Sequence, residues 1–265
     1  MNKNTFERIP LTKGEMNVYD FGGIRLHAYK TNDFIDDEVF IVEKDGRAVI
    51  LESPCFFDNN QELEVYLAQR KLETVGMLLA YHMAGGNFLP SVKKCATRNA
   101  DAYSHSGGGR ALIDSFAGSF GGIFDKAVHT VTDYIQDGSV IIGGIEFRIS
   151  ITPDAFDVEI PEINAVYTHM LGHDCHSIVA GADHADTMIE QLKGYLEKGY
   201  TLVLTSHYTP ENLKDVETKI AYLEHLKEIS ADSGNADEFK KRVRDEYSHY
   251  SGGNYLEMTA GFFFA

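Results

Sequence analysis

Between Thr168 and His176 the sequence reads Thr-His-Met-Leu-Gly-His-Asp-Cys-His, and another histidine follows at His184. Four imidazoles, a carboxylate and a thiol in so short a span are the donor types that bind a divalent metal or move protons. His169 and His173 stand four residues apart, so a helix would place them on one face. Gly172 argues against an uninterrupted helix, and neither histidine has a neighbouring glutamate of the kind a zinc-protease helix carries. Cys175 lies between Asp174 and His176, but adjacent residues on a strand point to opposite faces, which argues against a nucleophile–base pair. The expectation is that His173, Asp174 and His176 line a pocket rather than build a dedicated metal site of their own.

Two further histidines close apolar runs. His82 follows Val75–Ala80 and His207 follows Thr201–Leu204. Taken singly, each reads equally well as a packed side chain that hydrogen-bonds to backbone. His27, His105, His129, His225 and His249 have no motif around them and read as surface or packing residues. Ser106-Gly107-Gly108-Gly109 lacks the Lys-Ser/Thr pair of a phosphate-cradling loop, so the spacing predicts a flexible loop within 93–126.

The elements that must position these groups follow from patterning. Short β segments are predicted at Asn17–Phe21, Ile24–Tyr29, Val39–Glu43 and Ala48–Leu51, with Gly22-Gly23 and Asp45-Gly46 as turns. Asn60 is the expected cap of a helix running to about Leu72. Val75–Ala80 is a continuous apolar run, as in a strand buried on both faces. Strand signals return at Val128–Ile135, Val140–Ile142, Ile145–Ile151, Glu159–Pro161 and Asn164–Thr168. Helix is predicted at Ala185–Lys198, strand at Thr201–Leu204, helices at Asp215–Ile229 and Glu238–Tyr250, and a hydrophobic tail at Leu256 and Phe262–Phe264. Two blocks of β segments, each followed by helix, predict an α+β fold: a four-layer αββα sandwich.

The chain has 265 residues, 43% of them hydrophobic and 24% charged, which fits one large domain or one with an appendage. The expected division is a main domain at 1–210 and a C-terminal helical extension at 211–265. A net charge of −16 would repel a phosphate backbone and excludes nucleic acid as the expected partner. No apolar run approaches the roughly 18 residues of a membrane span, and Met1–Glu7 lacks a secretory signal's apolar stretch. Three cysteines, odd in number and far apart, fit a reducing cytoplasm. Small-molecule substrates or ligands remain as the expected partners, and a homo-oligomer is compatible with the tail.

The segment Ala80-Tyr81-His82-Met83-Ala84-Gly85-Gly86-Asn87 resembles the Thr-His-x-His-x-Asp-His loop of the metallo-β-lactamase superfamily. His82 matches the first histidine, while Ala84, Gly86 and Asn87 stand where the other ligands would be. Ala48–Ser53 resembles that superfamily's strand ending in Asp-Thr-Gly, with Glu52 in the aspartate's place. Thr201–His207 resembles the late strand that delivers the final metal histidine. In the second half, Pro153–Pro161, Ala165–His169, Ala180-Gly181-Ala182 and Ser206–Pro210 resemble the alkyl-sulfatase branch, with His169 and Ser150 in place of metal-binding glutamates and Ala180 in place of an arginine. The resemblance implies the sandwich fold and leaves His82, His169 and His207 as ligands for one zinc or other divalent ion, with Asn87 a weak fourth donor or pocket residue. It implies a mononuclear hydrolase of ester or sulfate-ester bonds, or a ligand-binding or regulatory protein whose catalysis is lost; it supplies no catalytic residue beyond the ligands.

Overall fold

The computed structural model describes residues 5–169 and 171–264; Met1–Asn4, at the head of the segment read above for a signal, Met170 and Ala265 lie outside them. The chain divides into two compact units. Among the described residues, the first comprises 5–169 and 204–209, the second 171–203 and 210–264.

An eight-stranded sheet organises the first unit, in the order β1 (Phe6–Pro10), β2 (Glu15–Asp20), β3 (Arg25–Lys30), β4 (Glu38–Lys44), β5 (Arg47–Leu51), β6 (Glu73–Leu78), β7 (Lys94–Ala96) and β8 (Asp133–Tyr134). From β1 to β5 the strands form an antiparallel meander, which short turns can join. From β5 onward they are parallel. Parallel pairing needs a crossover, and helix α1 (Phe57–Arg70) supplies it between β5 and β6. The interiors of β2 to β5 are buried on both faces, and exposure is confined to strand ends such as Asp20, Arg25, Lys30 and Arg47.

A second sheet contains β9 (Gly138–Ile142), β10 (Ile145–Ile151), β11 (Phe156–Ile160), β12 (Ala165–Thr168), β13 (Leu202–Thr205) and β14 (Tyr208–Glu211), in the order β14-β13-β12-β11-β10-β9. The sheets face one another. The Phe40 and Tyr167 rings meet edge-on at 6.1 Å, and a Cβ on Gly76 would lie 2.8 Å from Ile142, so close approach requires glycine there. The second unit holds the helices α4 (Ala182–Lys198), α5 (Leu213–Ala231), α6 (Ala236–Glu246) and α7 (Gly253–Phe263). The arrangement is α+β, as expected.

Several local expectations need correction. Helix α1 begins before Asn60, whose backbone N–H already donates to Phe56 at 2.9 Å; burial of Phe56 in an apolar cluster starts the helix without a side-chain cap. Ser106–Gly109, expected to be a flexible loop, is instead the junction of two helices, α2 (Arg98–Ser106) and α3 (Gly108–Phe120). They meet at Gly107, where a Cβ would stand 2.9 Å from the Tyr103 Cα, so the glycines serve close packing rather than flexibility. Of Val128–Ile135 only Asp133–Tyr134 is strand. The hydrophobic tail is helix α7, and β1 was not foreseen. No helix of the described residues is long and apolar enough to cross a membrane.

Candidate metal centre

Strand β5 runs into Glu52, which takes a left-handed backbone (φ 68°) and is fully buried. That turn aims its carboxylate along the end of β6, where it accepts backbone N–H groups from Ala80 (3.3 Å), Tyr81 (2.9 Å) and His82 (2.9 Å). The Tyr167 hydroxyl also donates to Glu52 and lies 2.5 Å from the Ser206 hydroxyl. Burial pushes the Glu52 carboxyl up, and these donors oppose the shift. Glu52, Tyr167 and Ser206 thus tie together the three segments that deliver the histidines. His82 follows β6, His169 follows β12 two residues after Tyr167, and His207 directly follows Ser206. A backbone bond from the Ser206 N–H to the His169 carbonyl (3.0 Å) holds the last two in register.

The result is convergence. Ring nitrogens of His82, His169 and His207 lie within 4.8 Å of one another. His82 Nε2 and His169 Nε2 are 3.3 Å apart. Two imidazoles bound tetrahedrally to zinc at about 2.0–2.1 Å have nitrogens about 3.3 Å apart, so this pair already has the spacing of neighbouring ligands. Tyr81 stacks on His169 with ring centroids 4.4 Å apart, fixing that imidazole's plane. Burial lowers all three histidine pKa values; His82 falls well below its ordinary value and His169 to about 3. All three are therefore neutral near pH 7, the form whose lone pair binds a metal.

Behind the imidazoles stands Asp37, which the sequence reading missed. It is buried at 1% exposure. Its Oδ1 lies 3.3 Å from His82 Nδ1 and 3.3 Å from His207 Nδ1, yet neither contact has hydrogen-bond geometry and the atom has no other partner among the described residues. The Cys55 thiol donates to Oδ2 at 3.3 Å. Burial, and then Asp33 nearby, raise the Asp37 carboxyl well above the carboxylate range. A buried, under-partnered carboxylate behind three neutral histidines fits a divalent cation in front of them, whose charge would offset the carboxylate's. The residues present therefore fit one metal ion.

The other positions flagged by the resemblance are spent on structure. Ala84 bridges Val128, and the N–H groups of Gly85 and Gly86 donate to Asp125 and Ala127 at 2.9 and 2.8 Å. The Asn87 side chain donates to Asp125 Oδ1 at 2.9 Å, and its backbone N–H to Oδ2. The loop that would carry further ligands is instead stitched to residues 125–129.

In the second unit, His173 gathers with Glu211 and Asp215. Glu211, 2% exposed, accepts from the Gly172 N–H (3.0 Å) and from the backbone (2.8 Å) and Nδ1 (2.9 Å) of His173. The Asp174 carbonyl accepts from the Ser251 N–H at 3.1 Å. His176 is buried, its Nδ1 2.9 Å from the Tyr222 hydroxyl. Lys219, also unflagged by sequence, is buried and donates to the Gly172 and Cys175 carbonyls; burial lowers its pKa to about 8. His169 thus leaves the histidine-rich stretch and joins the first unit's cluster, while His173, Asp174 and His176 belong to the second unit.

No family model matches the chain, and no curated protein sequence does. Solved structures do. The sec-alkylsulfatase Pisa1 from Pseudomonas sp. aligns over 92% of this chain at 12% identity with a TM-score of 0.63, and a double mutant of the same enzyme over 93% with a TM-score of 0.65. This chain spans 49% of either one's length. A metallo-β-lactamase from Erythrobacter litoralis matches over 83% of this chain and 100% of its own at 11% identity, TM-score 0.56. At such identities the likeness shows the fold, and with the sheets and centre described above the chain is a metallo-β-lactamase-fold protein.

Proposed function

We propose that this protein is a metal-dependent hydrolase with a single divalent ion, zinc for instance, held by His82, His169 and His207. The convergence of three neutral imidazole nitrogens within 4.8 Å supports the reading. Such an ion, when bound, supplies Lewis acidity and a water acidified to a pKa near 7. The chain's own residues do the positioning. Glu52 holds the backbone of His82, Tyr81 fixes the plane of His169, and the Tyr167–Ser206 pair aligns the strands before His169 and His207. The proposed substrates are small molecules with an ester or sulfate-ester bond, and the proposed location is the cytoplasm, in keeping with three unpaired cysteines.

A second reading has its own observation. The Ala84–Asn87 loop contributes no donor and is fastened to 125–129, which favours a ligand-binding or regulatory protein on a fold that has lost catalysis. Elemental analysis of chelator-treated, zinc- or manganese-loaded protein separates the two, together with hydrolysis of nitrophenyl ester and sulfate-ester substrates. About one ion per chain and turnover abolished in His82→Ala support the hydrolase; one ion without turnover supports the binding protein; no ion under any loading overturns the metal centre.

A further inference from the structure

We propose that Asp37 is the positioning residue of the three-histidine centre: one carboxyl oxygen faces the outer nitrogens of two imidazoles, each at 3.3 Å, and would turn both Nε2 atoms toward a single ion. The inference rests on the metal reading above and adds the residue that sets its geometry.

A metal-binding imidazole offers one nitrogen to the ion and leaves the other to a hydrogen-bond acceptor, which fixes tautomer and ring orientation. His207 meets that condition directly. Its Nδ1 lies 3.1 Å from the Ile35 carbonyl, an acceptor only, so Nδ1 carries the proton and Nε2 the lone pair. The same Nδ1 is 3.3 Å from Asp37 Oδ1. His82 places its Nδ1 at an equal 3.3 Å from that oxygen, while its Nε2 faces His169 Nε2 at 3.3 Å. A ring cannot offer Nδ1 to a second ion while that nitrogen faces Asp37. The arrangement therefore favours one metal over two.

Asp37 is itself held firmly. Its backbone N–H reaches Asp33 Oδ1 at 3.3 Å, its carbonyl accepts from the Thr31 N–H and hydroxyl, and Oδ2 takes the Cys55 thiol. Oδ1 alone remains for the imidazoles. Among the described residues no lysine or arginine pairs with this buried carboxyl, so a bound ion would supply the charge that offsets its ionised form.

The test is long-range 1H–15N correlation of the imidazoles in metal-free 15N-labelled protein, paired with zinc affinity by chelator competition. In the wild type His82 and His207 should both carry the proton on Nδ1. Asp37→Asn should shift His82 toward a tautomer mixture and weaken zinc about 10–100-fold, with the melting temperature of the metal-free protein maintained. An Nε2–H tautomer at both residues in the wild type, or unchanged zinc affinity in Asp37→Asn, would overturn the assignment. Nδ1–H tautomers in a wild type that binds no zinc would uphold the hold of Asp37 on the imidazoles and sink the metallohydrolase reading alone. Should Asp37→Asn fail to fold, the wild-type tautomers decide the matter by themselves.

Discussion

His82, His169 and His207 in the first unit, and His173, Glu211 and Asp215 in the second, each bring three metal-type donors within 4.8 Å of one another. In the first group His82 Nε2 faces His169 Nε2, the Ile35 carbonyl bonds His207 from behind, and Asp37 Oδ1 lies 3.3 Å behind His82 and His207. In the second the donors are already committed. Glu211 is spent on two backbone N–H groups and an imidazole, and Asp215 completes the capping box of α5 by accepting from the Asn212 N–H. The first group leaves imidazole nitrogens facing one another with Asp37 and Ile35 behind; the second ties the loop at 171–177 to a helix. Proximity of donor types therefore identifies a candidate, and the direction of their existing bonds decides its role.

The largest effect expected from breaking this contrast is on metal binding. His82→Ala or His207→Ala should weaken zinc by more than the 10–100-fold typical of losing a supporting residue, whereas His173→Ala should leave it unchanged; chelator competition on the three variants reads the difference, and equal losses would erase it. Next come the two buried glutamates. Glu52→Gln should cost about 3 kcal/mol in urea unfolding, because an amide presents N–H groups to backbone donors, and should weaken zinc as well. Glu211→Gln should cost about 2 kcal/mol with zinc binding intact, so a zinc defect there would unite the two clusters.

A smaller effect concerns neutral imidazoles in the first unit. His129 is buried with Nε2 2.9 Å from the Ser53 hydroxyl, and burial, then Lys94, lower its pKa to about 3. Between pH 3 and the unfolded value near 6.5 the unfolded chain binds the extra proton, so this histidine's contribution rises with pH, is complete above about 6.5 and fades toward 3. The stability gap between wild type and His129→Gln should shrink on acidification, by at most ~1.4 kcal/mol per pH unit; a gap flat from pH 7 to 4 would refute the shift. The smallest effect is at the cap, where Asn212→Ala should cost about 1 kcal/mol with no change in metal binding.

Much of the fold was legible because hydrophobic patterning and turn glycines are local signals: β2 to β6, β9, β10, β12, β13 and the helices α4 to α6 lie close to their predicted spans, while β11 begins three residues before its predicted start. The hinge at Gly107 was misread because glycine serves both loops and close helix packing, and only the neighbouring Tyr103 distinguishes them. His82, His169 and His207 were legible through resemblance alone, since 125 residues of chain separate the first from the last. Asp37 carried no signal. It sits in an acidic turn, Asp33 to Asp37, that reads as solvated surface, and only the fold turns one of its carboxylates inward. Tyr167 falls within the predicted strand Asn164–Thr168, and its hydroxyl link between Glu52 and Ser206 depends on both sheets being in place.

The stitched loop also constrains redesign. A Cβ on Gly86 would lie 3.0 Å from the backbone of Ala127, and one on Gly85, at φ 87°, would fall 2.1 Å from the Pro54 carbonyl oxygen. A side chain at 86 would thus press on the segment at 125–129, which would have to shift to admit it. An engineer seeking a second ion at this loop would therefore have to move residues 125–129 first.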